Sequence, residues 1–210
     1  MDCGHNPPCL TAAVSLSSNA FEEASGEVES PTAAQSISLP SKVEALIADL
    51  KTLPRDVKSV VFSSWRFTLG IVEAGLSQAG ISSVRFDGKV PQKERQTVIG
   101  RFRTDPSVRV MLLTLSCGAV GLTLTEASRA YLIEPHWNPS VEEQALARIH
   151  RLGQTREITT IRFFVRDSVE EQVMRVQESK KHLAGILLSA GDGDSMDDSL
   201  SSLRRLRCLL

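Results

Sequence analysis

The sequence predicts an α/β protein: a parallel sheet covered by helices on both faces, with irregular tails at either end. Two observations carry this. Short apolar, β-branched runs alternate along the chain with amphipathic stretches of helical period. The runs are apolar at nearly every position, as in VKSVVFS and VRVMLLT. That is the mark of strands buried on both faces rather than one. The ordered body is expected over residues 41–188, between a disordered leader at 1–40 and a disordered tail at 189–210.

Each element has its own warrant. Residues 10–40 are rich in Ser, Ala, Thr and Glu without sustained periodicity, which reads as leader or linker. SKVE at 41–44 has the pattern of a capping box, with Ser41 capping the Glu44 amide. A helix to about Leu53 follows, with Val43, Leu46, Ile47 and Leu50 on one face. Residues 57–63 form a strand, and 67–80 a helix ending on Gly80, a good residue for a left-handed terminus. A strand at 81–86 leads to an Asp87-Gly88 turn. A helix at 91–104 has Pro91 at its first position and Val98, Ile99 and Phe102 inward. Strands follow at 108–114 and 129–134, a helix at 140–150 and a strand at 157–165. Ser168 caps a longer helix to about 188.

Bulk composition is that of an ordinary globular chain, with 41% apolar and 23% charged residues and a net charge of −1. The distribution of charge says more than its sum. Residues 41–188 hold 21 Lys and Arg against 16 Asp and Glu, while residues 1–40 hold five acids and no Lys or Arg. A mildly basic body fits nucleotide or nucleic-acid contact. No run of 18 apolar residues suggests a membrane span, and MDCGHNPPCL lacks the pattern of a secretory signal. The four cysteines are scattered, which points to a reducing compartment without a disulfide framework.

In parallel sheets, function gathers in loops at the carboxyl ends of strands. The unusual residues of this chain lie there: after Ser63, Phe86, Thr114 and Glu134. TLSCGAVGLTL carries Gly118 and Gly121, which either let backbone approach a ligand or make a tight turn. EPHWNPS at 134–140 is a stiff loop in which Asn138 can bond neighbouring backbone. In QALARIHRLGQTR, a helix through 150 would align Gln144, Arg148 and Arg151 on one face. Two such arginines can grip a phosphate, or simply form a solvated basic face.

Taken together, VVFSSW, RFDGKVPQKERQTVIGRF, LLTLSCGAVGLTLTEASRAYLIEPHWNP and EEQALARIHRLGQTR resemble the second, C-terminal RecA-like lobe of the Snf-type DNA-dependent ATPases. These are superfamily-two helicase relatives, and the flavour is similar to the helicase-like transcription factor subgroup that works in DNA-damage tolerance and repair. The resemblance covers about residues 41–188. It implies that Arg148 and Arg151 are arginine fingers for the γ-phosphate of ATP, stabilising transition-state charge. Gln144 would help position the nucleotide or the fingers, and Gly118 and Gly121 would couple the ATP cleft to DNA. Ser63, Ser64, Trp65, Thr114 and Ser116 would lie near the DNA backbone, where hydroxyls and amides hold phosphates without reading sequence. Asp87 and Gly88 match the family's D-G turn, and Arg95 an arginine in the helix after it. The helix from 168 resembles a segment that packs back across both lobes. The chain departs from the pattern at Ser116, where the family usually has Lys, and at Ala119 (Gly), Thr123 (Asn), Glu134 (Asp) and His136 (often aromatic).

The cofactor implied is ATP with Mg²⁺, held mainly by a first lobe. The chain holds no G-x-x-x-x-G-K-[ST] and no Asp-Glu dipeptide. The expectation is therefore no meaningful ATPase activity from this polypeptide alone: a fragment, a trans-acting lobe or a relic. Cys3-x-His5-x₃-Cys9 has a spacing seen in RING-type zinc domains, but flanking ligand pairs are absent, so no metal site is expected. The implied partners are double-stranded DNA held through its phosphates, a first RecA-like lobe in cis or in trans, and chromatin; the implied compartment is the nucleus. The competing reading is a non-catalytic lobe that binds DNA, chromatin or protein. An unrelated nucleotide-binding regulator is the third.

Overall fold

The computed structural model describes residues 10–14, 39–118 and 122–189. The candidate zinc ligands Cys3, His5 and Cys9, the glycine at 121 and the tail beyond 189 lie outside them. Six strands form one sheet in the order β1-β6-β5-β2-β4-β3. They are β1 (Leu10–Val14), β2 (Lys58–Ser63), β3 (Ser83–Phe86), β4 (Val110–Thr114), β5 (Ala127–Leu132) and β6 (Thr159–Val165). All neighbours run parallel. The fold class read from the sequence is the one observed. One strand lies where the sequence reading placed only leader: Leu10–Val14 pairs with Ile161–Val165 as the outermost strand. Its LTAAV is too short and too mixed to register as a strand by period alone.

Alternation along the strands splits the interior into two layers. Val60 and Phe62 face one side with Met111, Leu113, Ala130 and Leu132, and there Ile99 and Phe102 of α3 (Gln92–Thr104) and Ala145 and Leu146 of α5 (Pro139–Leu146) cover them. Val61, Leu112 and Tyr131 face the other, under α1 (Ser41–Thr52) and α2 (Arg66–Gln78). Val60, Val61 and Phe62 are each fully buried, which is why β2 reads as a continuous apolar run. Gly75 explains how closely α1 and α2 approach: a Cβ there would lie 2.8 Å from Val43 Cγ1.

Helix ends follow local chemistry, with one exception. Gly80 closes α2 at φ +71, with its amide on Ser77 O and the Ile81 amide on Leu76 O, the paired bonds of a Schellman terminus. Ser168 Oγ accepts the Glu170 amide at the start of α6 (Val169–Ser189). The Ser41 capping box does not form. Pro40 is the N-cap, without a side-chain cap, and its carbonyl accepts the Val43 and Glu44 amides. The terminus is instead tied down by Lys42, whose Nζ pairs with Glu170 at 2.6 Å and donates to Ile133 O at 2.9 Å.

β2 lies between β4 and β5, so the chain leaving β4 crosses over β2 to reach β5. The carboxyl ends of these three strands bracket a switch in chain direction, where open parallel sheets form their crevices.

Candidate functional site

A cleft of about 390 Å³ opens at that switch, lined by Ser64, Leu115, Ser116, His136, Val141 and Gln144. The six side chains arrive from the ends of three strands. Ser64 follows β2, and Leu115 and Ser116 open the short α4 (Leu115–Gly118) after β4. His136 stands in the loop after β5. Val141 and Gln144 come from α5, whose start is fixed by Asn138: its Oδ1 accepts the Ser140 amide at 3.1 Å, with Pro139 next in the first turn. Three residues singled out in the sequence, Ser64, Ser116 and Gln144, therefore meet in one cleft.

The others are placed differently. Ser63 is fully buried beneath the cleft, and its hydroxyl donates to Glu134 Oε1 at 2.7 Å. The Ser64 amide donates to the same oxygen. Thr114 is buried and 3.3 Å from the Ser116 hydroxyl. Ser63 and Thr114 thus build the floor, and only Ser64 and Ser116 reach the cleft. Trp65, next to Ser64, is 66% exposed. Gly118 ends α4.

Glu134 is the carboxylate under the floor. Burial pushes its carboxyl above the ordinary range, against the opposing bonds from Ser63 and Ser64 and the charge of Lys42; Glu170 nearby adds to the push. At the end of β3, Asp87 accepts from Arg66 Nε and Arg85 Nε at 2.9 Å each and from the Lys89 amide at 2.8 Å. Burial works to raise the Asp87 carboxyl, but the Lys89 amide and the two guanidiniums outweigh it and hold it below the usual value. The D-G turn is thereby a rigid corner. Arg95, on the helix after it, lies over the Phe86 ring at 5.7 Å and donates to Val90 O.

The arginine pair is not on a helix. α5 ends at Leu146, and the chain continues in short turns, with the Arg148 amide on Ala145 O and the Ile149 amide on Leu146 O. The expected helical stripe of Gln144, Arg148 and Arg151 is thus broken. The turn is pinned from outside: Arg148 O accepts the Leu124 amide at 2.9 Å, and Ile149 is fully buried in the layer of Val60 and Phe62. Arg151 is exposed, and its Nη1 donates to Thr123 Oγ1 at 2.8 Å. Neither arginine lines the cleft. Both are laced instead to residues 123 and 124, just past the Gly-rich segment.

Residues 41–153 match the model of the helicase conserved C-terminal domain. The chain belongs to that family. Among its relatives are DNA repair protein rad5 of Aspergillus fumigatus, 39% identical over 188 residues, covering 75% of this chain and 15% of that protein. DNA repair protein RAD5A of Arabidopsis thaliana is 43% identical over 144 residues, covering 68% and 14%. The helicase-like transcription factor of mouse is 37% identical over 175 residues, covering 81% and 17%. Helicase C-terminal domains of the Snf-type, superfamily-two ATPases are therefore its kin, and the chain spans about a sixth of these relatives' lengths. A crystal structure of the C-terminal part of the Fun30 ATPase domain superposes with a TM-score of 0.63 at 31% identity, over 65% of this chain and 45% of that one. The RecA-like fold is shared with it.

Several residues that shape the site were not singled out from the sequence for that task. Glu142 is fully buried and sits 3.0 Å from Arg162 Nη2. Its position was legible, since residues 142, 145, 146 and 149 share the inward side, but a glutamate there breaks the apolar pattern. Gln177, of the long helix, carried no signal. Among the described residues no cluster of three or more His, Cys, Asp or Glu could hold a metal ion, and no helix is long and apolar enough to cross a membrane.

Proposed function

We propose that this lobe is the second half of the ATPase site of a Snf-type, DNA-dependent motor acting in DNA repair or chromatin remodelling in the nucleus. ATP and Mg²⁺ would be bound mainly by a first RecA-like lobe, whose phosphate loop these 210 residues do not contain. The observation that carries the reading is the lacing of the Arg148–Arg151 turn to Thr123 and Leu124. It puts the two candidate fingers and the exit of the Gly-rich segment in one hydrogen-bonded unit, as coupling between nucleotide and DNA requires. The cleft of Ser64, Ser116 and Gln144, with exposed Trp65 beside it, would lie against duplex DNA. Hydroxyls and amides there can hold phosphates, so binding would ignore sequence and weaken steeply with salt. Gly118 and Gly121 would carry the coupling, and Ser63 and Thr114 would support the DNA-facing loops from below.

The test is DNA-stimulated ATP hydrolysis by a protein that joins this lobe to a first lobe, with Arg148→Ala and Arg151→Ala. Loss of a finger should lower turnover by about 10³-fold or more. Hydrolysis that is equally fast without either arginine would sink the assignment. The second reading, a non-catalytic module binding DNA, chromatin or protein, draws on Ser116, exposed where the resembling family carries lysine. It gains if no first lobe supports turnover while duplex binding persists.

A further inference from the structure

The wall of the cleft is held from behind by a helix outside the matched domain, which ends at residue 153. Gln177 of α6 is 3% exposed. Its Nε2 donates to Glu142 Oε1 at 2.6 Å and to the carbonyl of His136. The His136 amide donates to the same Glu142 oxygen at 2.8 Å. Further along α6, Lys180 Nζ donates to Trp137 O at 3.0 Å and Lys181 pairs with Glu143 at 3.0 Å. The chain from His136 to Glu143 is thus gripped at four points by one helix, and that stretch supplies two of the six lining residues and the first turn of α5.

A residue that only filled space between α6 and α5 would be apolar. Gln177 instead spends both protons of a buried amide on the segment that walls the cleft, one on a main-chain carbonyl and one on a carboxylate that itself holds main chain. Directional bonds fix position where packing alone permits sliding. From these bonds we infer that Gln177 is a positioning residue: it sets the place of His136, Val141 and Gln144 in the cleft, and makes α6 part of the site although α6 lies beyond the matched domain. The functional side of this inference rests on the cleft's proposed role in holding DNA phosphates.

Two variants of the 210-residue chain test it: Gln177→Leu, and Gln177→Met, which preserves side-chain length. Amide exchange across the whole chain and binding to short duplexes of unrelated sequence at low salt are measured for each. Expected are exchange at residues 135–146 faster by about tenfold, with β4 amides unchanged, and duplex binding weaker by roughly fivefold. Lys180→Ala should give a smaller change confined to the same residues. Exchange that rises equally in β4, unfolding of both variants, or no local change would each overturn the inference, since Gln177 would then be a core residue like any other. If the parent chain binds no duplex, the DNA reading of the cleft falls, and exchange alone decides whether Gln177 positions its wall.

Discussion

Arg151 Nη1 donates to Thr123 Oγ1 at 2.8 Å, joining a residue of the arginine turn to one just past the Gly-rich segment. The main chain repeats the link one step away, where the Leu124 amide meets Arg148 O at 2.9 Å. Arg103 Nη2 donates to the carbonyl of Thr123 at 2.7 Å, so this threonine is held from both sides. Thr123 stands where the resembling family usually has asparagine, and its hydroxyl still supplies an acceptor.

Thr123→Val removes that acceptor and keeps the shape. Arg151 is exposed and can bond water instead, so folding stability should change by less than about 1 kcal/mol. The guanidinium would lose its preset direction, which costs about 1 kcal/mol of ordering when it must engage an anion. Under the proposed finger role, ATP hydrolysis by the two-lobe protein should fall severalfold, and combining the change with Arg151→Ala should add nothing. A faster enzyme, or full additivity, would mean that Thr123 does not orient Arg151 for the reaction.

Glu142→Ala should be among the most damaging single changes in this chain. It leaves Arg162, whose side chain is 9% exposed, as a buried cation without its carboxylate, and strips Gln177 and His136 of a shared acceptor. Breaking a buried pair from one side costs about 3–5 kcal/mol. Urea unfolding monitored by circular dichroism would show it; a loss below about 1 kcal/mol would mean the pair is balanced by water reaching Arg162.

What could be read in advance follows from how local each signal is. The strands of the sheet centre were legible because burial on both faces makes VVF and VMLL apolar at every step. Gly80, Asn138 and Ser168 were legible because each acts within two or three residues of itself. The pinning of the arginine turn was not, because the Leu124 amide that meets Arg148 O lies 24 residues away and no local pattern announces it. Ser63 and Ser64 look alike in sequence. Only the half-buried Glu134 decides that the Ser63 hydroxyl is spent on a carboxylate while Ser64 lines the cleft.

Acid titration should reveal two carboxylates of opposite sign. The Glu134 carboxyl is raised above its ordinary 4.5, so on acidification the folded state takes up that proton before the unfolded state does. Stability from this group rises as pH falls through the folded value, and is lost again as pH rises past it. Asp87 is lowered below 3.8, so its contribution is complete above that value and is lost as pH falls through the lower folded one. Denaturation midpoints between pH 7 and 4.5 should therefore lose a stabilising slope in Glu134→Gln, whose amide oxygen can still accept from Ser63 and Ser64. Asp87→Asn should lower stability across the range above pH 4, where the bonds from Arg66 and Arg85 are complete, and flatten the pH dependence below it. An unchanged upper limb in Glu134→Gln would show that Glu134 is charged throughout that range.

Ser116 offers a gain-of-function test of the cleft. It is exposed, lines the cleft beside Ser64 and Gln144, and occupies the position where the resembling family carries lysine. Ser116→Lys places an ammonium at the cleft beside Ser64 and Gln144 without disturbing the core, because the side chain is exposed on the first turn of a short helix. If the cleft lies against duplex phosphates, the substitution adds one phosphate contact. Affinity should rise equally for unrelated sequences, and the slope of log K against log salt should steepen by about 0.9. Titrations across a salt series with two unrelated duplexes would measure both. A slope unchanged from the parent chain, or a gain for one sequence only, would remove the cleft from the DNA path and leave the arginine turn as the part of the lobe with a proposed ligand.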